Sequence, residues 1–136
     1  MIFRQWQQVL DGTKTQTRRV KGRDEVLIDD IGVMKNGRMK HRWHRSYPII
    51  PKRGQKAIGR FRITWIVEQN LQCITEEDAR AEGVASVEEY RQLWESINGK
   101  TKGARWADNP VVFVYTIQNV TRPADTRDMY DPINFN

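Results

Sequence analysis

The sequence predicts a single α+β domain built on a small, strongly bent sheet or barrel with short helices at its flank. At 136 residues the chain is long enough for one domain with a core and too short for two ordinary domains. Strand patterns separated by turn signals occupy much of the chain, and two helix-start signals lie together between residues 75 and 99. No internal repeat is present, which excludes a solenoid or a propeller.

The N-terminal half is predicted to contain a helix, a hairpin and a strand. Apolar residues at helical spacing in the first ten residues indicate a helix that Asp11-Gly12 would end. The Asn-Gly pair in Lys35–Arg38 favours a tight turn in a basic β-hairpin within residues 25–43. After a Pro- and Gly-containing loop, alternation predicts a strand. Its inward positions are Phe61, Ile63, Trp65 and Val67.

The C-terminal half is predicted to contain two helices and a central strand. Thr75 followed by Asp78, and Ser86 followed by Glu89, are typical helix N-caps with an acid three residues on. The second helix presents one apolar face and ends at Asn98-Gly99; that face consists of Tyr90, Leu93, Trp94 and Ile97. The β-rich run 111–117 is apolar on both faces, which predicts a central strand.

The charge is divided unevenly between the two halves. Residues 1–62 contain 16 Lys or Arg against 5 Asp or Glu, whereas residues 63–136 contain 7 against 12. Cations attract phosphates and aromatic rings stack on bases, so a basic half with Trp6, Trp43 and Tyr47 favours a nucleic acid or a nucleotide as partner. The alternative is that the basic charge serves solubility alone.

Several features bear on the compartment. No run of about 18 apolar residues could span a bilayer, and the N-terminus lacks the pattern of a signal peptide. One cysteine, Cys73, cannot form an internal disulfide, and its apolar neighbours predict that it is buried. We therefore expect a cytoplasmic protein without a membrane partner.

The octapeptide Gly12–Arg19, GTKTQTRR, is the strongest candidate for a functional segment because it concentrates hydrogen-bond donors. Lys14 and Thr17 would face opposite sides of a strand but would meet in a turn, and the preceding helix end favours the turn. Together they could hold an anion, or a desolvated Lys14 could accept the hydroxyl proton and make Thr17 a nucleophile. Arg18 and Arg19 are expected to point in different directions, one to an acidic partner and one to solvent or ligand.

Glu82 is the candidate carboxylate for the same pocket. It lies at the end of the helix predicted to begin after Thr75, where the helix dipole disfavours a negative side chain. The alternative is an exposed glutamate with a small local cost. His41 and His44 lack further ligands for a zinc site, so neither a metal nor a cofactor is expected. The chain also lacks the nucleophile elbow, the phosphate-binding loop and the dinucleotide fingerprint.

Four segments in order carry a resemblance to a known family, which runs from about Ile2 to Ile117. They are VLDGTKTQTRR, YPIIPKRGQKAIGRFRITWI, ITEEDARAEGVASVEEYRQLWESING and NPVVFVYTI. In these the chain resembles an ASCH-domain protein of the PUA-like superfamily. The resemblance implies a small PUA-like β-barrel with flanking short helices over residues 1–120, and a positively lined cleft.

The resemblance also implies a function in RNA binding or RNA modification. Some bacterial members similar to this chain hydrolyse the amide of N4-acetylcytidine with a Lys as proton acceptor, a Thr as nucleophile and a Glu as proton donor. By motif position those roles would fall on Lys14, Thr17 and Glu82. Other members are reported to cut RNA, and others are reported only to bind it. The partner implied is RNA or a modified nucleoside or nucleotide.

Two segments depart from the compact amidohydrolases. The segment from about residue 21 to residue 46 resembles a basic hairpin inserted into the domain. Residues 121–136 resemble an additional tail that is extended or partly disordered. An enlarged basic rim would favour a substrate with phosphates; it would consist of Tyr47, Lys52, Arg53 and Lys56, with Trp43 stacking a base. Three functions remain as alternatives: an amidohydrolase, a non-catalytic RNA-binding module and, ranked last, a ribonuclease. The sequence does not predict the oligomeric state.

Overall fold

A computed structural model describes residues 1–122, and the predicted tail from residue 123 onward lies outside them. Two antiparallel sheets and three short helices make up this part of the chain. The main sheet is curled into a half-barrel, which confirms the α+β fold. The strands are β1 (Gln16–Val20), β2 (Glu25–Ile28), β3 (Gly32–Lys35), β4 (Arg38–Arg42), β5 (Ser46–Ile49), β6 (Gly59–Asn70) and β7 (Val111–Asn119). The helices are α1 (Trp6–Asp11), α2 (Glu76–Ala81) and α3 (Val87–Asn98).

The main sheet has the order β1-β7-β6-β5, with β7 between β1 and the long strand β6. The run Val112–Tyr115 is buried on both faces of the sheet, which confirms the predicted central strand. One face packs on a core containing Phe3, Phe61 and Phe113. The other face packs through Val112 and Val114 against a second core under α2 and α3. Strand β1 is therefore an edge of the sheet, next to the helices.

The alternation predicted for β6 holds only for its first half. Phe61 and Ile63 are buried as predicted, but the pairing with β7 shifts between Ile63 and Trp65, where Thr64 is an extra residue. A bulge of this kind moves every later side chain to the opposite face. Ile66 is therefore the next inward residue, and Trp65, predicted to be buried, is 52% exposed.

The second sheet contains β2, β3 and β4 and covers part of the main sheet. The predicted hairpin turn is present: Asn36 and Gly37 have φ values of 50° and 76°, as a tight turn between β3 and β4 requires. Strand β2 lies within the segment 25–43 that was predicted as a hairpin, and it pairs with β3, so this segment forms three strands instead of two. Val33 is fully buried in the first core, which joins the two sheets.

The helix ends confirm most of the predicted caps. Gly12 adopts a left-handed φ of 85° after α1, although this helix begins at Trp6 because Ile2 pairs instead with Ile50. Thr75 accepts from the N–H of Asp78 in a capping box, and Ser86 accepts from the N–H of Glu89.

Cys73 is exposed, contrary to prediction. Cys73 ends a short 3-10 turn, Leu71–Cys73. Leu71 and the next residue, Ile74, occupy the buried positions of this segment. Within residues 1–122 no helix is both long enough and apolar enough to cross a bilayer.

Candidate functional site

The segment between α1 and β1 is held against both neighbouring helices by its backbone. The N–H of Lys14 donates to the carbonyl of Gln8 over 3.0 Å, and the N–H of Thr15 donates to the carbonyl of Ala81 over 2.7 Å. The second bond joins the residue before β1 to the last residue of α2. Because Glu82 follows that residue directly, the side chain of Lys14 reaches Glu82 although 68 positions separate them in the sequence.

Glu82 lies at the centre of a buried network of charges. Its Oε1 accepts from Lys14 Nζ over 2.8 Å, and its Oε2 accepts from Arg18 Nη1 over 2.8 Å. Lys14 also donates to the Glu82 carbonyl over 3.0 Å, and Arg18 Nη2 lies 3.3 Å from Asp78 Oδ2. Two buried cations thus account for a carboxylate at a helix C-terminus, the position that the sequence singled out.

Burial sets the protonation chemistry of Lys14. Its side chain is 5% exposed and that of Glu82 is 2% exposed. Desolvation lowers the pKa of Lys14 below its usual range, since burial disfavours the charged ammonium, and the adjacent Glu82 only partly opposes this effect. A lysine in this state can lose its proton more readily than a surface lysine and can act as a base.

The turn predicted to bring Lys14 and Thr17 together is wrong, because Thr17 belongs to strand β1, where pairing with β7 begins at Gln16. Alternation along the strand places Thr17 and Arg19 on the face opposite Arg18. Arg19 Nε donates to Thr17 Oγ1 over 3.2 Å, and Arg19 Nη2 donates to the Ile2 carbonyl over 2.7 Å. The Arg19 guanidinium also lies 5.2 Å from the ring of Phe3. A hydroxyl that accepts from Arg19 keeps its own proton for donation elsewhere. The two adjacent arginines therefore divide as alternation requires, Arg18 toward Glu82 and Arg19 toward Thr17.

All five of these side chains line one pocket of about 300 Å³ at the free edge of β1. The polar end holds Lys14, Thr17, Arg18, Arg19 and Glu82. The opposite wall is apolar and comes from α3 and the N-terminal segment, including Ile2, Phe3, Tyr90, Leu93, Trp94 and Ile97. The sequence pattern predicted this apolar face of α3 but gave no indication that the face lines a pocket. The signal that it also lines a pocket is the 46% exposure of Ile97 on an otherwise buried face.

Arg18 has one further feature. Its Nε is buried and has no hydrogen-bond partner within the part of the chain that the structure describes. A buried N–H without an acceptor is costly, and Arg18 lines the pocket. The other two nitrogens of the Arg18 guanidinium have acceptors in Gln16, Glu82 and Asp78, so Nε is the donor that this network leaves unpaired.

The predicted rim residues do not line this pocket. Trp43 packs against Trp65, with ring centroids 5.0 Å apart, and the Tyr47 hydroxyl accepts from the N–H of Arg42 over 2.7 Å. Lys52, Arg53 and Lys56 are exposed in the loop between β5 and β6. In the described residues no three His, Cys, Asp or Glu side chains are grouped as a metal site would need.

Neither a protein-family model nor a curated protein sequence matches this chain. Two crystal structures are similar in fold. An ASCH domain from Lactobacillus crispatus has a TM-score of 0.59 and 14% identity, with 86% of this chain and 70% of that chain covered. A protein from Enterococcus faecalis described by the family model DUF984 has a TM-score of 0.56 and 16% identity, with 87% and 71% covered. At these identities the likeness concerns the fold alone, and this chain has the fold of an ASCH domain.

Proposed function

We propose that this chain is an amidohydrolase that removes the acyl group from N4 of an acylated cytidine. The observation that carries the proposal is that Lys14, Thr17 and Glu82 line the same pocket, with the amine and the carboxylate 2.8 Å apart. This set contains a base, a nucleophile and an acid, which are the groups that cleavage of an amide by a covalent route requires.

The reactive form is the one in which Lys14 is neutral and Glu82 carries the proton. This form differs from the ion pair only by transfer of one proton along the hydrogen bond between them. Burial favours the neutral amine of Lys14, because desolvation lowers the pKa of this side chain. The neutral pair supplies a base and an acid at the same time.

In the first step Thr17 Oγ attacks the acyl carbon, and its proton passes to the neutral amine of Lys14. The amide oxygen becomes an oxyanion, and the positive charges of Arg18 and Arg19, which line the pocket, can stabilise it. When the C–N bond breaks, Glu82 gives its proton to the departing cytidine N4. The acyl group is then bonded to Thr17.

In the second step water attacks the acyl ester, and its proton passes through the Lys14–Glu82 pair. The C–O bond to Thr17 breaks, the Thr17 oxygen recovers a proton, and the acyl group leaves as a carboxylic acid. The net reaction consumes one amide and one water and releases cytidine and the acid, so the pair returns to its starting state.

The pocket suits a substrate of this class. Its volume of about 300 Å³ is at the lower end of ligand pockets, which fits one nucleoside rather than a larger molecule. Its aromatic and aliphatic wall can contact a base and an acyl chain, while the cationic end can hold the carbonyl oxygen.

The experiment is chromatography of N4-acetylcytidine after incubation with the wild type and with Thr17→Val. This variant removes the nucleophile and leaves the contacts among Lys14, Glu82 and Arg18 in place, while Arg19 loses one acceptor but keeps the Ile2 carbonyl. We expect cytidine and acetate from the wild type and a loss of at least about hundredfold in kcat/KM for the variant. Thr15→Val is the matched control, because Thr15 is an exposed threonine two residues away and its change should be nearly neutral.

Lys14→Met and Glu82→Gln extend the test to the base and the acid, with folding checked by circular dichroism. Cytidine release by Thr17→Val at the wild-type rate would contradict the assigned nucleophile. No cytidine from folded wild type would contradict the amidohydrolase and favour the RNA-binding alternative.

A further inference from the structure

Two tryptophans are in contact outside the pocket, Trp65 on the outward face of β6 and Trp43 in the turn between β4 and β5. Trp65 on β6 is 52% exposed, and its ring centroid lies 5.0 Å from that of Trp43 with an interplanar angle of 42°. Trp43 is half-buried against the first core and so supports its neighbour from below. An exposed indole ring held beside a second one offers apolar aromatic surface to an incoming ring.

The backbone fixes both tryptophans in position. The bulge at Thr64 turns Trp65 outward, as described above. The turn that carries Trp43 is bonded to the same strand: the N–H of His44 donates to the Ile63 carbonyl over 2.7 Å, and the N–H of Ile63 donates to the Arg45 carbonyl over 3.2 Å. The exposure of Trp65 is therefore built into the register of the sheet.

Three exposed arginines lie within three residues of one or the other tryptophan in the sequence. Arg42 and Arg45 lie on either side of the Trp43 turn, and Arg62 projects from the outward face of β6 before the bulge. Within residues 1–122 no carboxylate is within ion-pair distance of any of the three. The exposed arginines of the C-terminal half differ, since Arg91 pairs with Glu88 and Arg105 pairs with Asp108.

The helices leave this part of the sheet open. Further along β6, Val67 packs against the second core under α2 and α3, whereas Trp65 has no such cover. Cross-strand pairing aligns Trp65 with Thr116 and Thr116 with Gln16. At about 4.8 Å per strand the backbone of Trp65 lies roughly 10 Å from that of Gln16, whose side chain contacts Arg18 of the pocket. The two sites are thus separate but share one sheet.

We propose that Trp43, Trp65, Arg42, Arg45 and Arg62, here called the tryptophan platform, bind single-stranded RNA. A base stacks on the exposed Trp65 ring while the arginines contact the adjoining phosphates. A duplex is excluded from this mode because its bases are already stacked and paired, and unpaired bases are presented mainly by RNA. This proposal does not depend on hydrolysis in the pocket.

The test is fluorescence anisotropy of a fluorescein-labelled uridine dodecamer with full-length wild type and variants at two salt concentrations. We expect Trp65→Ala to weaken binding by about ten- to hundredfold and Trp65→Phe to weaken it much less. Arg45→Ala/Arg62→Ala should weaken binding and reduce the salt dependence by about one to two charges. Lys100→Ala/Lys102→Ala changes the total charge equally at exposed sites after α3 and should have little effect.

Several outcomes would overturn the proposal. They are wild-type affinity in folded Trp65→Ala, equal losses in the two double variants, no binding by wild type at about 100 µM, or Trp65-dependent binding of anionic lipid vesicles without binding of RNA. Thr17→Val separates this proposal from the proposed function, because it should abolish hydrolysis and leave RNA affinity unchanged. If wild type has no hydrolase activity but Trp65→Ala loses RNA, only the proposed function fails.

Discussion

The cations of the basic N-terminal half occupy two opposite environments. Lys14 and Arg18 are buried at the edge of β1, and both bind the carboxylate of Glu82. The arginines of the tryptophan platform are exposed and, among the described residues, have no carboxylate partner. The first group is suited to proton transfer in a small pocket, and the second to contact with an extended polyanion. The net charge alone therefore does not indicate a function, because buried and exposed cations suit different kinds of chemistry.

The same comparison predicts where the protein is sensitive to substitution. Burial of an ion network costs a large desolvation free energy, which the attraction between the charges offsets. Loss of one partner therefore leaves another buried charge without compensation. An exposed charge is solvated with or without a partner. The largest effects on stability are therefore expected at the pocket and the smallest on the surface.

The largest effect is expected for Glu82→Ala. The substitution leaves Lys14 buried without a carboxylate and Arg18 with only Asp78, so the free energy of unfolding should fall by about 3–5 kcal/mol. Glu88→Ala removes an exposed carboxylate paired with Arg91 and should cost less than about 0.5 kcal/mol. Urea denaturation of both variants measures the difference. Similar costs for the two would mean that the pocket charges are solvated.

An intermediate effect is expected at His41, where β4 of the second sheet meets the main sheet. Its Nδ1 lies 2.8 Å from the Tyr115 hydroxyl. Burial, and then the charges of Lys40, the N-terminus and Arg19, lower the pKa of His41 to about 4, with Glu25 opposing. The unfolded chain therefore binds more protons than the folded chain between pH 6.5 and pH 4, and stability falls as the pH falls through that range.

The expected loss at His41 is about 2 kcal/mol, which allows for partial exposure of the ring. Denaturation of wild type and His41→Gln at several pH values measures it, because glutamine can still bond to Tyr115 but does not titrate. The variant should have the flatter profile between pH 6.5 and pH 4. Parallel profiles would contradict the lowered pKa.

The smallest effect is expected at the tip of the second sheet. Gly37 has a φ of 76°, and no other atom lies within 4 Å of the position that an added methyl group would occupy. Gly37→Ala should therefore cost about 1 kcal/mol through backbone strain alone. Asn36→Gly, at a φ of 50°, should be within about 0.5 kcal/mol of wild type. Thermal denaturation measures both. A change in nucleoside turnover in Gly37→Ala would show that the second sheet acts on the pocket.

Local signals in the sequence predicted most of the helix ends and turns. The Thr75 capping box, the Ser86 cap, the end of α1 at Gly12 and the Asn36-Gly37 turn each depend on a few neighbouring residues. Such features can be read without knowledge of the rest of the fold. The exposure of Trp65 could not be predicted in this way, because the bulge that turns Trp65 outward depends on pairing with β7, a strand distant in the sequence.

The candidate site was predictable in its residue types and in part of its membership. The clustered donors of GTKTQTRR and the unexplained Glu82 indicated a polar pocket, and the resemblance in the motifs supplied the roles. The sequence did not reveal that α3 forms the opposite wall, because an apolar helix face has the same pattern whether it fills a core or lines a pocket. Nor did it reveal that Lys52, Arg53 and Lys56 lie outside that pocket.

The sequence by itself determined the α+β class, the central strand, the caps and the uneven charge, because each follows from composition or from contacts between near neighbours in the chain. Only the tertiary structure decided which cations are buried and which are exposed. Lys14 meets Glu82 across 68 positions because β1 pairs with β7 and its preceding segment bonds to α2. Burial and pKa depend on such long-range packing, and no short segment contains that information.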